Sequence, residues 1–298
     1  MPESWLSVIG LGLLLLIVVN LAIFLFACYE NGTSAGKNPW LRSTQVLKPE
    51  SGKAHGSAIL LHGFGGTPSD LRSLAERLAG QGFRVVVPAI PDQTSTTFAY
   101  SRGRLPPAAY SEWLLDLIRD ETALSGTPPS LIGFSMGGAL ATIVAADHDI
   151  HRLVLVSPYF DLPASTRWVA PSAKWLRWIV PVVPKAAKGQ ILDPQGYREY
   201  ETGSYLISLR AVLQLAKLTR IARGKAGDLT LPILVFASEK DTVASFAVTE
   251  GLFRGLANAR LVACNQSNHI VTYDFDRERV MTEIIAFLTA EASPQASA

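Results

Sequence analysis

The sequence predicts an α/β fold: a mostly parallel central sheet with helices on both faces, a helical cap, and a transmembrane helix at the N-terminus. Three observations predict it. Short runs that are apolar on both faces (SAILL, FRVVV, LVLV, PILVFA) alternate with stretches of helical periodicity, as in a sheet covered on both sides. The stretch Ser130–Ala146, SLIGFSMGGALATIVAA, reads as strand, sharp turn and helix with Ser135 at the apex. From Val8 to Ala27 the chain is apolar except for Asn20, long enough to cross a bilayer as a helix.

In chain order, residues 1–30 are read as the membrane anchor, with Trp5 and Tyr29 as interfacial aromatics. A cleaved signal peptide needs a basic start, and MPESWLS has no Lys or Arg. Glu3 precedes the segment and Lys37, Arg42, Lys48 and Lys53 follow it, which places the globular part of a single-pass membrane protein in the cytoplasm. Residues 31–56 are a linker and lead-in: NGTSAGKN leaves the membrane, and Trp40 to Leu47 is read as an opening strand.

Residues 57–160 form the first part of the core. Ser57 to Leu61 is a buried strand. Thr67 as N-cap, Pro68 and Asp70 start a helix whose inward stripe is Leu71, Leu74 and Leu78, ended by Gly80 and Gly82. Phe83 to Val87 is the next strand, and Tyr110 to Leu124 an amphipathic helix through Trp113, Leu114 and Leu117. The Ser135 turn and the strand Leu153 to Val156 follow. Residues 161–228 break the rhythm. They hold three of the six tryptophans (Trp168, Trp175, Trp178) and eleven basic against five acidic residues, a net of +6 where the rest of the chain is −4, and read as a helical cap. Residues 229–298 resume the core with strands at Pro232–Ala237 and Arg260–Ala263, helices near Phe246–Leu256 and Asp276–Leu288, and a loose tail, SPQASA.

Composition excludes several classes. A net charge of +2 argues against nucleic acid as a partner. Two cysteines, Cys28 and Cys264, supply neither a disulfide framework nor a cysteine zinc site, so no metal is expected.

The chemistry is sought at the carboxyl ends of the strands, where sites in such sheets lie. Gly133 and Gly137 leave room for strand and helix to converge around Ser135, whose Oγ then stands at the N-terminus of the new helix. Of the five histidines, His55 sits in a polar lead-in, His148 and His151 lie past the far end of the helix after Ser135, and His62 precedes a glycine-rich loop that it is read as shaping. His269, in the polar loop after the last strand, is the candidate base. Asp241, just past PILVFA, is the candidate orienting acid, with Glu239, Asp274 and Asp276 as rivals. Oxyanion donors would be the backbone N–H groups of Met136 and Phe64. The aromatic and basic Lys174, Trp175, Arg177 and Trp178 form either a lid face for an anionic interface or packing onto the sheet.

From His62 to Leu288 the chain resembles the carboxylesterase and monoacylglycerol lipase branch of the α/β-hydrolases. The matching segments, in order, are LLHGFGGTPSDLRSLAERLAGQGFRVVVP, GFSMGG, the Asp241 loop and SNHIVTYDFDRERVMTEIIAFL. The resemblance implies the α/β-hydrolase fold with an eight-stranded type of sheet, and cofactor-free hydrolysis of small-molecule or lipid-like esters through an acyl-enzyme. It also implies a Ser135, Asp241, His269 triad with Phe64 and Met136 at the oxyanion hole. A thioesterase, acyltransferase or serine peptidase would use the same residues, and a non-catalytic scaffold is the other class. Relatives often carry Pro-Gly-His-Gly where this chain has Pro91-Asp92-Gln93-Thr94, a departure that bears on the alcohol side of the pocket.

Overall fold

The computed structural model describes residues 2–33, 38–49, 55–94, 97–161, 169–185, 190–201 and 203–290. Residues 34–37 of NGTSAGKN, Lys53, Trp168 and the SPQASA tail lie outside the described residues. The elements in order are α1 (Pro2–Thr33), β1 (Gln45–Leu47), β2 (Ser57–Leu61), α2 (Arg72–Gly80), β3 (Arg84–Val87), α3 (Pro107–Ser125), β4 (Ser130–Phe134), α4 (Met136–Ala145) and β5 (Leu153–Val156). There follow α5 (Val169–Leu176), β6 (Val182–Pro184), α6 (Pro194–Glu199), β7 (Leu206–Ser208), α7 (Leu209–Lys225), β8 (Ile233–Ala237), α8 (Phe246–Phe253), β9 (Ala259–Ala263) and α9 (Arg277–Thr289).

The main sheet has the order β1-β3-β2-β4-β5-β8-β9, parallel throughout except for β1, which pairs antiparallel with β3. Among the described residues it has seven strands, not the eight that the resemblance implies. Alternation along each strand feeds two cores: Ile59 and Leu61 of β2 pack on one face with Tyr110, Leu114 and Leu140, while Ala58 and Leu60 pack on the other with Leu74, Leu78 and Ile284. This is why β2, β4, β5 and β8 read as near-continuous apolar runs: every residue in them is buried.

Local differences from the sequence reading have local causes. Trp40 lies in a 3-10 turn, Pro39–Leu41, because the Asn38 side chain accepts from the Trp40 N–H, so the opening strand is only Gln45–Leu47. Thr67 makes no side-chain cap. Pro68–Leu71 form a 3-10 turn, the α-helix starts at Arg72, and Asp70 is turned to other partners. Leu71, Leu74 and Leu78 are fully buried nonetheless, Leu74 and Leu78 contributing about 2 kcal/mol each by burial. Helix α3 starts earlier than read, with Pro107 in its first turn, and stops at Gly126 in the left-handed conformation (φ 76°). Its buried Glu121 accepts from Arg84 Nε and Nη2 at 2.8 and 3.0 Å, a forked pair that ties α3 to β3.

Between β5 and β8, the cap contains an antiparallel hairpin, β6 with β7, as well as its helices, so it is not purely helical. Helix α7 packs on α4 and α5. Helix α1 is apolar and long enough from Ser7 to Gly32 to cross a membrane, with a mean hydropathy of 2.9. Val8, Leu11 and Leu15 are exposed along it, but Ala27 and Glu30 are buried against the hairpin side of the cap.

Candidate active site

Ser135 connects β4 to α4 with φ 52° and ψ −117°, a conformation a serine adopts only under constraint. Four backbone hydrogen bonds supply the constraint: Ser135 N–H donates to Val156 O, and Ser135 O accepts from Gly138, Ala139 and Tyr159 N–H. The flanking glycines are required by space. A Cβ on Gly137 would lie 2.2 Å from Leu61 O, and one on Gly133 would lie 2.5 Å from Gly137 O.

Ser135 Oγ lies 3.0 Å from His269 Nε2, and His269 Nδ1 lies 2.8 Å from Asp241 Oδ2. Nδ1 facing a carboxylate carries the ring proton, which leaves Nε2 free to accept from the serine hydroxyl. Asp241 is itself aimed: its Oδ1 accepts from Val243 and Ala244 N–H at 2.7 and 2.8 Å. The structure thus brings together Ser135, His269 and Asp241, all three side chains nearly closed to solvent. The rival acids stand elsewhere. Glu239 is exposed. Asp274 accepts from the N–H groups of Leu192, Asp193, Asn268 and Phe275, and Asp276 from Gln266 N–H and Ser267 Oγ.

The loop after β2 passes beside the serine: a Cβ on Gly63 would be 3.3 Å from Ser135 Cβ. His62 shapes that loop. Its Nδ1–H donates to Gly63 O, and its Nε2 accepts from Ile90 N–H. Residues 58–283 match the profile of the alpha/beta hydrolase family. The chain belongs to the alpha/beta hydrolase family.

This alpha/beta hydrolase is similar to the thermostable monoacylglycerol lipase of Bacillus sp. (strain H-257), 24% identical over 259 residues that cover 85% of this chain and 98% of that one. Its fold is similar to that of a metagenome-derived lipolytic enzyme of the LipS and LipT pair, with a TM-score of 0.73, 18% identity, and coverage of 85% of this chain and 99% of the other. It is also similar to the monoacylglycerol lipase of Paleococcus ferrophilus, with a TM-score of 0.70, 19% identity, and coverage of 82% and 97%.

A cavity of ≈ 480 Å³ lies over the serine of the hydrolase, walled by Phe64, Phe134 and Phe160 from the core and by Ile207, Val212 and Leu215 from the cap. Asp70, Lys185 and Tyr200 give it a polar side. The Pro91–Thr94 segment lies away from it. Asp92 (φ 63°) instead accepts from the N–H groups of Gly103, Arg104 and Leu105, pinning the loop before α3. Among the described residues no three His, Cys, Asp or Glu side chains cluster as metal ligands would. Trp175 and Trp178 are 72% and 77% exposed, each beneath its own cation (Lys174 and Arg177), so they do not pack onto the sheet.

Residues missed in the sequence hold the site in place. Asn268 Oδ1 accepts from Thr242 N–H, joining the Asp241 and His269 loops. Asp70, which accepts from the Tyr200 hydroxyl at 3.1 Å, was legible only as a helix-start residue.

Two buried groups here have opposed acid responses. Burial lowers the His62 pKa from 6.5 to about 4, and burial raises the Asp70 pKa from 3.8 to about 6, against the pull of Lys185. As pH falls from 6.5 to 4, the unfolded chain gains a proton at His62 that the folded one does not, which costs stability. Over much the same window the folded chain gains a proton at Asp70 first, which adds stability. Each shift corresponds to about 3 kcal/mol, so the two nearly cancel. Asp70→Asn removes the compensation. Its unfolding free energy, from urea denaturation in detergent, should fall by about 2 kcal/mol more than that of the wild type between pH 6.5 and 4. Parallel profiles would show that Asp70 takes up no proton in the folded state.

Proposed function

We propose that the chain is a membrane-anchored serine carboxylesterase or lipase that hydrolyses acyl esters of the monoacylglycerol type through an acyl-enzyme. The observation that carries this reading is the Ser135–His269–Asp241 chain of hydrogen bonds at the foot of a largely apolar cavity. His269 takes the proton of Ser135 as Oγ attacks the ester carbonyl. Asp241 holds the imidazole and balances its charge. The developing oxyanion is met by the N–H groups of Met136 and Phe64. Neither makes a hydrogen bond within the protein among the described residues, and Met136 N–H lies in the first turn of α4. His269 returns the proton to the leaving alcohol, and water deacylates Ser135 by the same route.

In this reading the core comprises residues 57–160 and 229–298, and residues 161–228 are the cap that closes the acyl pocket. Helix α1 is the anchor, and the basic residues after it favour a cytoplasmic globular part. The exposed Trp175 and Trp178 with Lys174 and Arg177 suit the headgroup layer of an anionic membrane. The names of the relatives support a lipid-like ester substrate. A fluorophosphonate probe tests the reading: it should label Ser135 in the folded full-length chain in step with loss of monoacylglycerol hydrolysis. A folded chain that stays unlabelled would instead be a scaffold.

A further inference from the structure

The end of α1 is built into the cap. Glu30 Oε1 accepts from Tyr205 N–H at 2.6 Å and Oε2 from Ser204 Oγ at 2.9 Å, immediately before β7. Arg102 Nη1 donates to the same Ser204 Oγ at 2.7 Å and to Leu206 O at 3.1 Å. One turn back along α1, Ala27 packs with Val182 of β6, Leu206 of β7 and Ala99, while Phe24 meets Phe98 and Tyr100 edge-on. The other side of this hairpin is the pocket. Leu206 faces α1 and the next residue, Ile207, lines the cavity, as alternation along a strand requires. Tyr205, held by Glu30, accepts from the backbone N–H of Lys185, whose side chain also lines the cavity. The wall between anchor and pocket is one strand thick.

A plain tether has no use for this arrangement. A carboxylate taken out of water is costly unless paired, and the charge of Glu30 is offset by Arg102 and Lys185, both of which feel it. We propose that Glu30 is a positioning residue for the substrate pocket: the last turns of the anchor helix clasp the β6–β7 hairpin and so hold Ile207 and Lys185 where a long acyl ester must pass. The proposal rests on the reading of the cavity as the acyl pocket.

The test uses the full chain in detergent micelles with a long-chain monoacylglycerol and a short p-nitrophenyl ester. Glu30→Ala should raise KM for the long ester about tenfold, the size of a lost charge-assisted hydrogen bond, and leave kcat for both esters within about twofold. Glu30→Gln should recover most of the loss, since its amide oxygen still accepts from Tyr205 N–H. Phe24→Ala, a milder change at a half-exposed ring, should shift KM the same way by less, and serves if Glu30→Ala does not accumulate. An unchanged KM in Glu30→Ala, or an equal fall in kcat for both esters, overturns the proposal. Hydrogen exchange at the Lys185 amide separates this from failure of the enzyme reading. If the wild type turns over no ester, faster exchange in Glu30→Ala still supports the clasp, and wild-type exchange overturns it.

Discussion

Ser135→Ala should lower kcat/KM for a short p-nitrophenyl ester by roughly 10⁴-fold or more while leaving the fold intact. The fold survives because the turn is held by the backbone of residue 135, through Val156 O and the N–H groups of Gly138, Ala139 and Tyr159, and not by its side chain. The only protein partner of the hydroxyl among the described residues is His269. Alanine meets the same positive φ as serine and leaves a gap of a single oxygen. The variant should therefore unfold within a few degrees of the wild type, as a thermal melt would check. On the proposed mechanism it removes the atom that bonds to the acyl carbon, for which no neighbouring side chain substitutes. A variant keeping a tenth of the activity would place the nucleophile elsewhere and end the serine reading.

Asp241→Asn is expected to cost about 10⁴-fold in kcat, nearly as much, although Asp241 does not line the cavity. The reason lies in the two oxygens. Oδ1 accepts from the N–H groups of Val243 and Ala244, so the single oxygen of an asparagine stays there. Its NH₂ then faces His269 Nδ1, which must become an acceptor. The ring proton moves to Nε2 and points at Ser135 Oγ, where a base should be. Stopped-flow measurement should show acylation and deacylation both slowed, because His269 is the base in each, with KM little changed. Activity within tenfold of the wild type would remove Asp241 from the mechanism.

The strands were legible because each is apolar on both sides: SAILL and LVLV appear residue for residue as β2 and β5. The Ser135 turn was legible because close packing leaves no alternative to glycine at 133 and 137. His269 and Asp241 were found by their place at strand ends, since a residue there must face the rim that Ser135 faces. The hairpin of the cap was not legible. Strands of three residues show no period, and Pro184 within β6 reads as a break. Asp274 looked like a spare acid because Leu192 and Asp193, whose N–H groups it accepts, are about eighty residues away in sequence. Nothing in the sequence pairs Glu30 with Ser204 and Tyr205, which lie 174 and 175 residues further on. Only the folded chain shows what lies beside it.

The docking of α1 has a consequence for the kinetics. The apolar stretch of α1 runs without a break into the turns that the cap holds, at Phe24, Ala27 and Glu30. On the proposed reading of α1 as a membrane anchor, the catalytic body is therefore seated directly on the bilayer, unable to swing away. Such an enzyme meets its substrate by lateral diffusion. Its velocity should follow the mole fraction of ester in the membrane and fall when inert lipid dilutes it, even while the total amount of ester in the vessel stays the same.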